Sequence, residues 1–317
     1  MPVVNLRQGH RRSLCVAAVF AAIAGAPRIA TPQPWVPPRG EGSVSISYQN
    51  YYTLGHYDLQ GRPNTNGATH SKAVALDLDY GVTDRIALVV GVPFISSKYT
   101  GPPSYFVGGK VTFPGPLDDG TYHGALQDFR VAVRRMFIAG PVALTPFVGG
   151  TVPSHEYETQ GEAVPGRGRP ELRLGASLGV PLDRLLTGAS MEVRYGLGAA
   201  PPEDGHSSVR SLIDLEGGVR VLPRLDMRGV LAWQLRNKGP LAPELAADEE
   251  NWPDHDRFIL GNFFNVGVGA TLVSIGSMDV SAFWMQTVSG KNGAHRARLF
   301  TVGATWTFGG AFKVPGL

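Results

Sequence analysis

The sequence predicts an all-β protein: a transmembrane up-and-down antiparallel β-barrel of about twelve strands. Three observations carry that expectation. Strand-like segments of about 10 to 14 residues alternate apolar and polar side chains. Six long polar connections alternate with five very short turns along the chain. The chain also opens like an exported protein, and no later segment has the roughly 18 uninterrupted apolar residues of a membrane helix. A closed barrel with long outer loops and tight periplasmic turns produces this alternation.

At the N-terminus, Arg7, Arg11 and Arg12 precede an apolar stretch, Ser13 to Ala24, and Ala22-Ile23-Ala24 fits a cleavage site. Residues 1–24 read as a signal peptide. The segment takes with it three of the 29 basic residues and none of the 26 acidic ones, leaving a mature chain of balanced charge. Nucleic-acid binding therefore has no electrostatic support. The only cysteine, Cys15, leaves as well, so disulfides and thiol catalysis are excluded. Residues 25–41, with five prolines and Trp35, read as an extended periplasmic lead-in.

The barrel is expected over 42–308. The first strand, near Gly42 to Leu54, sets Val44, Ile46 and Tyr48 against serines. The second, Lys72 to Gly81, sets Val74, Leu76, Leu78 and Tyr80 against Ala75, Asp77 and Asp79. Thr83-Asp84 turns the chain into a third strand, Arg85 to Ile95. A long Gly/Pro-rich loop reaches about Gly124. The fourth strand, about Ala125 to Ile138, has Phe129, Val131 and Val133 against Asp128, Arg130 and Arg134. Val142 to Pro153 is the fifth, and Glu171 to Val180 the sixth. The seventh is Ala189 to Ala199, the eighth about Val209 to Leu222, and the ninth Asp226 to Asn237. The last three are Phe258 to Val273, Met278 to Ser289 and Arg296 to Phe308, followed by a tail over 309–317. The apolar face of each strand is expected against lipid and the polar face in the lumen. Tyr80, Phe94, Phe137, Tyr195, Trp284, Trp306 and Phe308 fall toward strand ends, as interface aromatics do.

The candidate functional residues are the charges on the polar face. They are Asp77, Asp79, Asp128, Arg130, Arg134, Glu171, Arg173, Glu192, Arg194, Arg210, Asp214, Glu216, Arg220 and Arg228. Neighbouring strands offer opposite signs, and arginine forks suit carboxylates. Two roles stand open: a ladder of ion pairs filling the interior, or a polar conduit that selects solutes. His155, Glu156 and Glu158 share one outer loop, and Asp254, His255 and Asp256 another. Neither spacing matches a metal motif, and no metal or cofactor is assigned. Ser154 and His155 are adjacent, which on a strand would point them to opposite faces. With no nucleophile or metalloprotease motif present, no catalytic residue is assigned.

One stretch, Gly124-Ala-Leu-Gln-Asp128-Phe-Arg-Val-Ala-Val-Arg134, resembles a G-x-G-D strand opening. With Pro146-Phe-Val-Gly-Gly-Thr-Val-Pro153-Ser, and with Ser289-Gly-Lys-Asn292 before a last strand ending Gly303-Ala-Thr-Trp-Thr-Phe308, it is similar to the outer-membrane transporter family of the MetA pathway of phenol degradation. It departs from that pattern at Gln127, where the family has Gly, and in the residues past Phe308. The resemblance implies an outer-membrane barrel that takes up small, often hydrophobic molecules. It carries over no catalytic residues.

The expected function is therefore passage of small molecules across the outer membrane, with solute entering between the loops 96–123 and 238–257. Alternatives are a plugged barrel acting as receptor, adhesin or scaffold, and an outer-membrane lipid-modifying enzyme. The expected partners are outer-membrane lipid and a small-molecule solute, with a monomer as the default.

Overall fold

The computed structural model describes residues 34–309, apart from 66, 103–105, 108–109, 112–114, 249–250 and 276–277. The signal segment and all of the tail except Gly309 lie outside the described residues. Twelve antiparallel strands form a closed barrel. They are β1 (Gly42–Tyr57), β2 (Ala68–Thr83), β3 (Ile86–Thr100), β4 (Phe129–Arg135), β5 (Ala143–Val152) and β6 (Glu171–Pro181). They continue as β7 (Ala189–Glu203), β8 (His206–Leu222), β9 (Leu225–Lys238), β10 (Asn262–Ile275), β11 (Met278–Lys291) and β12 (His295–Phe308). Each strand pairs with its neighbour in sequence. The ring closes where β1 pairs with β12, from Gly42↔Phe308 to His56↔His295.

Period-two alternation decides which side of each strand meets lipid. Val74, Leu76 and Tyr80 on β2, and Leu172, Leu174 and Leu178 on β6, stand exposed on the outside. Met191, Val193, Tyr195 and Leu197 on β7, and Phe300, Val302, Trp306 and Phe308 on β12, do the same. A soluble protein would bury these side chains; a belt of them around a closed sheet is the lipid face of a transmembrane barrel. Most of the predicted lipid-facing residues are exposed, and Val44, Leu78 and Phe129 are partly so. Tyr80 and Phe308 stack at the end that holds both chain ends, with ring centroids 6.4 Å apart. Phe137 and Trp306 lie at that end too, whereas Phe94, Tyr195 and Trp284 sit nearer the middle of their strands.

The strands differ from expectation in length and interruption. β8 runs for 17 residues and β1 and β2 for 16 each. Crossing the bilayer needs only about 9 to 11. The hairpin ladders continue beyond that length on the loop side. The fourth strand is broken: His123–Leu126 pairs with β3, Gln127 and Asp128 step out of the ladder, and pairing resumes at Phe129.

Two of the six connections expected to be long are tight hairpins. Asp204-Gly205 joins β7 to β8, with φ of 47° and 78°, and Asn292-Gly293 turns β11 into β12, with φ of 56° and 74°. Positive φ at both central residues is the turn that matches strand twist, and Asp-Gly and Asn-Gly are its preferred sequences.

The part of the lead-in among the described residues begins at Pro34. Pro34, Trp35 and Val36 are buried inside the periplasmic mouth. Trp35 Nε1 donates to Gly140 O at 3.2 Å, and Thr145 Oγ1 donates to Pro34 O. A side chain at Gly179 would strike Pro34 and Trp35, and one at Gly81 would strike the carbonyls of Pro37 and Pro38. Glycine on β2 and β6 thus leaves the space in which the segment crosses the mouth.

Candidate functional site: the charged interior of the barrel

With the apolar residues outside, alternation turns the charged residues inward. The structure pairs most of them. Arg130 Nη2 donates to Asp77 Oδ1 at 2.8 Å, although β2 and β4 are not neighbours. Gly91 lies on the strand between them; a Cβ there would come within 2.5 Å of Asp77 Oδ1 and 2.8 Å of Arg130 Nε. The same device recurs between β6 and β8. Arg210 Nη2 lies 2.7 Å from Glu171 Oε2 over Gly198 of β7, and Arg173 binds Glu171 from the same strand. Arg194 and Asp214 pair across neighbouring strands at 2.9 Å. Arg228 Nη1 lies 3.5 Å from Glu216, and its Nη2 donates to Thr271 Oγ1. Arg220 and Asp226 pair at 2.8 Å near the periplasmic turn. Glu192 is buried opposite Glu216 in the ladder.

Two predicted members have other duties. Arg134, 1% exposed, binds Asp79 and donates from Nη1 to Trp35 O at 3.1 Å. It thereby holds the segment at Trp35 to β2 and β4. Asp128 accepts from the Tyr157 hydroxyl, which itself accepts from Gly168 N at 2.8 Å. Standing outside the ladder, Asp128 fastens the outer loop 153–170 to the wall.

Between these groups the lumen holds chambers. A cavity of about 240 Å³ at mid-barrel is lined by Asp77, Arg130, Arg173, Arg194 and Asp214, and by Phe147. The Phe147 ring fits because Gly175 and Gly196 carry no side chains beneath it. A second cavity, of about 410 Å³, lies toward the outer end and is bordered by Arg167 and Arg210. Arg167 reaches it from loop 153–170 and donates to the carbonyls of Arg257 and Ile259, joining that loop to loop 239–261. The loop is also secured by Asp118, which accepts from Glu162 N at 2.9 Å and Ala163 N at 3.2 Å. Burial pushes the Asp118 carboxyl up to about 6 against the pull of those two donors.

Ser154 and His155 do meet, correcting the expectation drawn from strand geometry, because they lie in a loop. Ser154 Oγ is 2.8 Å from His155 Nδ1 and 3.0 Å from Leu126 O. The hydroxyl has one proton, and the carbonyl can only accept it; the histidine then has nothing left to abstract. Of the two loop clusters, His155, Glu156, Glu158 and Asp254 border one exposed depression. His255 and Asp256 turn instead into the lumen.

No family model matches the chain, and no curated protein matches it in sequence. The fold does have solved counterparts. An outer membrane channel from Pseudomonas putida F1 is 15% identical, with 88% of this chain and 99% of that one covered and a TM-score of 0.63. The translocator domain of the autotransporter NalP from Neisseria meningitidis is 9% identical, covering 93% and 95% with a TM-score of 0.48. The β domain of a Bordetella autotransporter is 10% identical, covering 85% and 100% with a TM-score of 0.49. The first of these likenesses shows the β-barrel fold, and the apolar belt marks it as a barrel that spans a membrane.

Proposed function

We propose that this barrel passes small solutes across the outer membrane, and that its mid-barrel chamber favours solutes with an anionic group on an apolar body. The chamber's lining supports this reading. Arg130, Arg173 and Arg194 outnumber Asp77 and Asp214 there, and Phe147 offers an apolar ring beside the guanidinium groups. Arginine presents a rigid fork to carboxylates, and an aromatic face accepts an apolar body. The resemblance to transporters of phenol degradation agrees with an aromatic solute. Passage requires the Pro34–Val36 segment to leave the mouth, so the barrel is a gated conduit. The test is single-channel recording of the mature chain in a planar bilayer under a salt gradient. Discrete openings with anion preference are expected, moved toward cations by R130A together with R194A. Unchanged selectivity would remove the arginines from the path.

A second reading rests on the same buried segment: a closed barrel serving as receptor or scaffold through its outer loops. Electrical silence of verified folded barrel, persisting after the segment is deleted, would favour it.

A further inference from the structure

Three histidines and two carboxylates converge at the outer end of the lumen from four separate parts of the chain. His56 stands near the outer end of β1 and His295 opens β12, their rings 4.7 Å apart across the closing seam. Glu162 comes from loop 153–170. His255 and Asp256 come from a short helical turn, His255–Phe258, in loop 239–261. His295 Nε2 is 3.4 Å from Asp256 Oδ1, and His56 Nε2 is 3.6 Å from Glu162 Oε2. His255 Nε2 lies 3.5 Å from Glu162 Oε1 and 3.6 Å from Asp256 Oδ1. One ligating atom from each of His56, Asp256 and His295 lies within 4.8 Å of the other two.

We propose that this cluster is a site for a divalent transition metal of the zinc class, held by His56, His295 and Asp256 with Glu162 closing the fourth side. The bound ion clamps the two outer loops to the β1–β12 seam.

Spacing is the first argument. Among the proposed ligands, His295 and Asp256 stand 3.4 Å apart and His56 and Glu162 3.6 Å, longer than good hydrogen bonds between such groups, about 2.7 to 3.2 Å. Ligands about 2.0–2.1 Å from a tetrahedral zinc stand roughly 3.4 Å from one another. Those two spacings fit donors set around a common centre, and the His56, Asp256 and His295 atoms all lie within 4.8 Å of one another. Charge is the second argument. Glu162 and Asp256 are 12% and 11% exposed and bring two carboxylates into one partly desolvated place, where His255 faces both and a dication completes their compensation. Donor chemistry is the third. Imidazole with carboxylate suits zinc, nickel or copper, whereas calcium and magnesium call for oxygen alone.

The surroundings also suit an ion. His255 Nδ1 faces Trp252 O at 3.1 Å, which aims its Nε2 at the two carboxylates and steadies them from outside. Asp118 fixes the backbone at Glu162. A chamber of about 390 Å³, bordered by His56, Glu162 and Asp256, lies on one side, and the cavity of about 410 Å³, bordered by His295, lies on the other. Both give an ion a route to its ligands. The proposal concerns binding and is independent of whether solute passes.

The test is calorimetric titration of the chelator-stripped mature barrel with zinc chloride, with metal analysis of the dialysed product. One zinc per chain is expected, not displaced by excess magnesium. H295A and D256N should each weaken binding by at least about ten-fold. H155A, in the exposed depression, should leave it unchanged. Cobalt titration of the unmutated protein supplies a readout free of folding effects: the intense visible bands of four-coordinate cobalt are expected. Absence of stoichiometric zinc on folded barrel would overturn the site. So would full affinity in the H56A/H295A double variant, or octahedral cobalt bands.

Discussion

Asp77 and Arg130 lie on strands that do not touch, and they meet 2.8 Å apart over Gly91 on the strand between. Asp77 is 3% exposed, so its charge has little water to fall back on. Replacing Gly91 by alanine puts a methyl where the ion pair sits. We expect G91A to lower the temperature at which the barrel loses its heat-modifiable gel mobility. R130A should do so too, at a cost in stability of about 3 kcal/mol, the usual cost of leaving a buried charge unpaired. D77N combined with R130Q should recover much of that loss. A barrel indifferent to G91A would mean that the pair is not held over the glycine.

Trp35 is the keystone of the segment in the periplasmic mouth, bonded through its backbone to Arg134 and through its indole to Gly140. W35A, or deletion of residues 25–38, should raise the frequency of open events in bilayer recordings and increase liposome swelling rates. Swelling no faster than with the unmutated chain would show that the segment is not the barrier.

Asp118 sets a pH dependence in loop 153–170. Its pKa stands at about 6, above its ordinary value near 3.8. The folded loop therefore binds the proton more tightly than the open one. This contribution is fully present below the ordinary value and is lost as pH rises through about 6. Hydrogen exchange of the Ala163 amide, corrected for its intrinsic pH dependence, should slow on going from neutral pH to pH 5. D118N should flatten the profile, and faster exchange in acid would reverse the sign argued here.

Leu174, half exposed on the outer face of β6, is predicted to sit in lipid. L174R should cost about 2 to 4 kcal/mol if the residue is near the bilayer centre and less toward either surface. The measurement is urea unfolding in lipid vesicles. Lack of any cost would place that face elsewhere than in the membrane.

How much of this was legible in the chain depends on the range of the signal. The lipid face was readable because Val74, Leu76, Leu78 and Tyr80 repeat within a single strand, and no distant residue alters that period. The short outer hairpins were missed although Asp204-Gly205 and Asn292-Gly293 announce them. The sequence suggests ion pairs between neighbouring strands, as Arg194 makes with Asp214, but not the ones that skip a strand. Asp77 with Arg130 and Glu171 with Arg210 skip a strand, and only the full ring reveals that a glycine lies between. The metal cluster is less legible still. His56, Glu162, Asp256 and His295 share no spacing, and they come together only because β1 closes on β12 beneath two folded loops.

The strand-skipping ion pairs have a mechanical consequence. Backbone hydrogen bonds between neighbours fix the circumference of a ring but leave it free to flatten into an ellipse. A strut between next-nearest strands fixes a chord, and a chord fixes local curvature. Asp77–Arg130 spans β2 to β4, and Glu171–Arg210 spans β6 to β8. Along this arc the bore is set by the reach of an arginine, so the calibre of the barrel is written in side-chain length as well as in strand number.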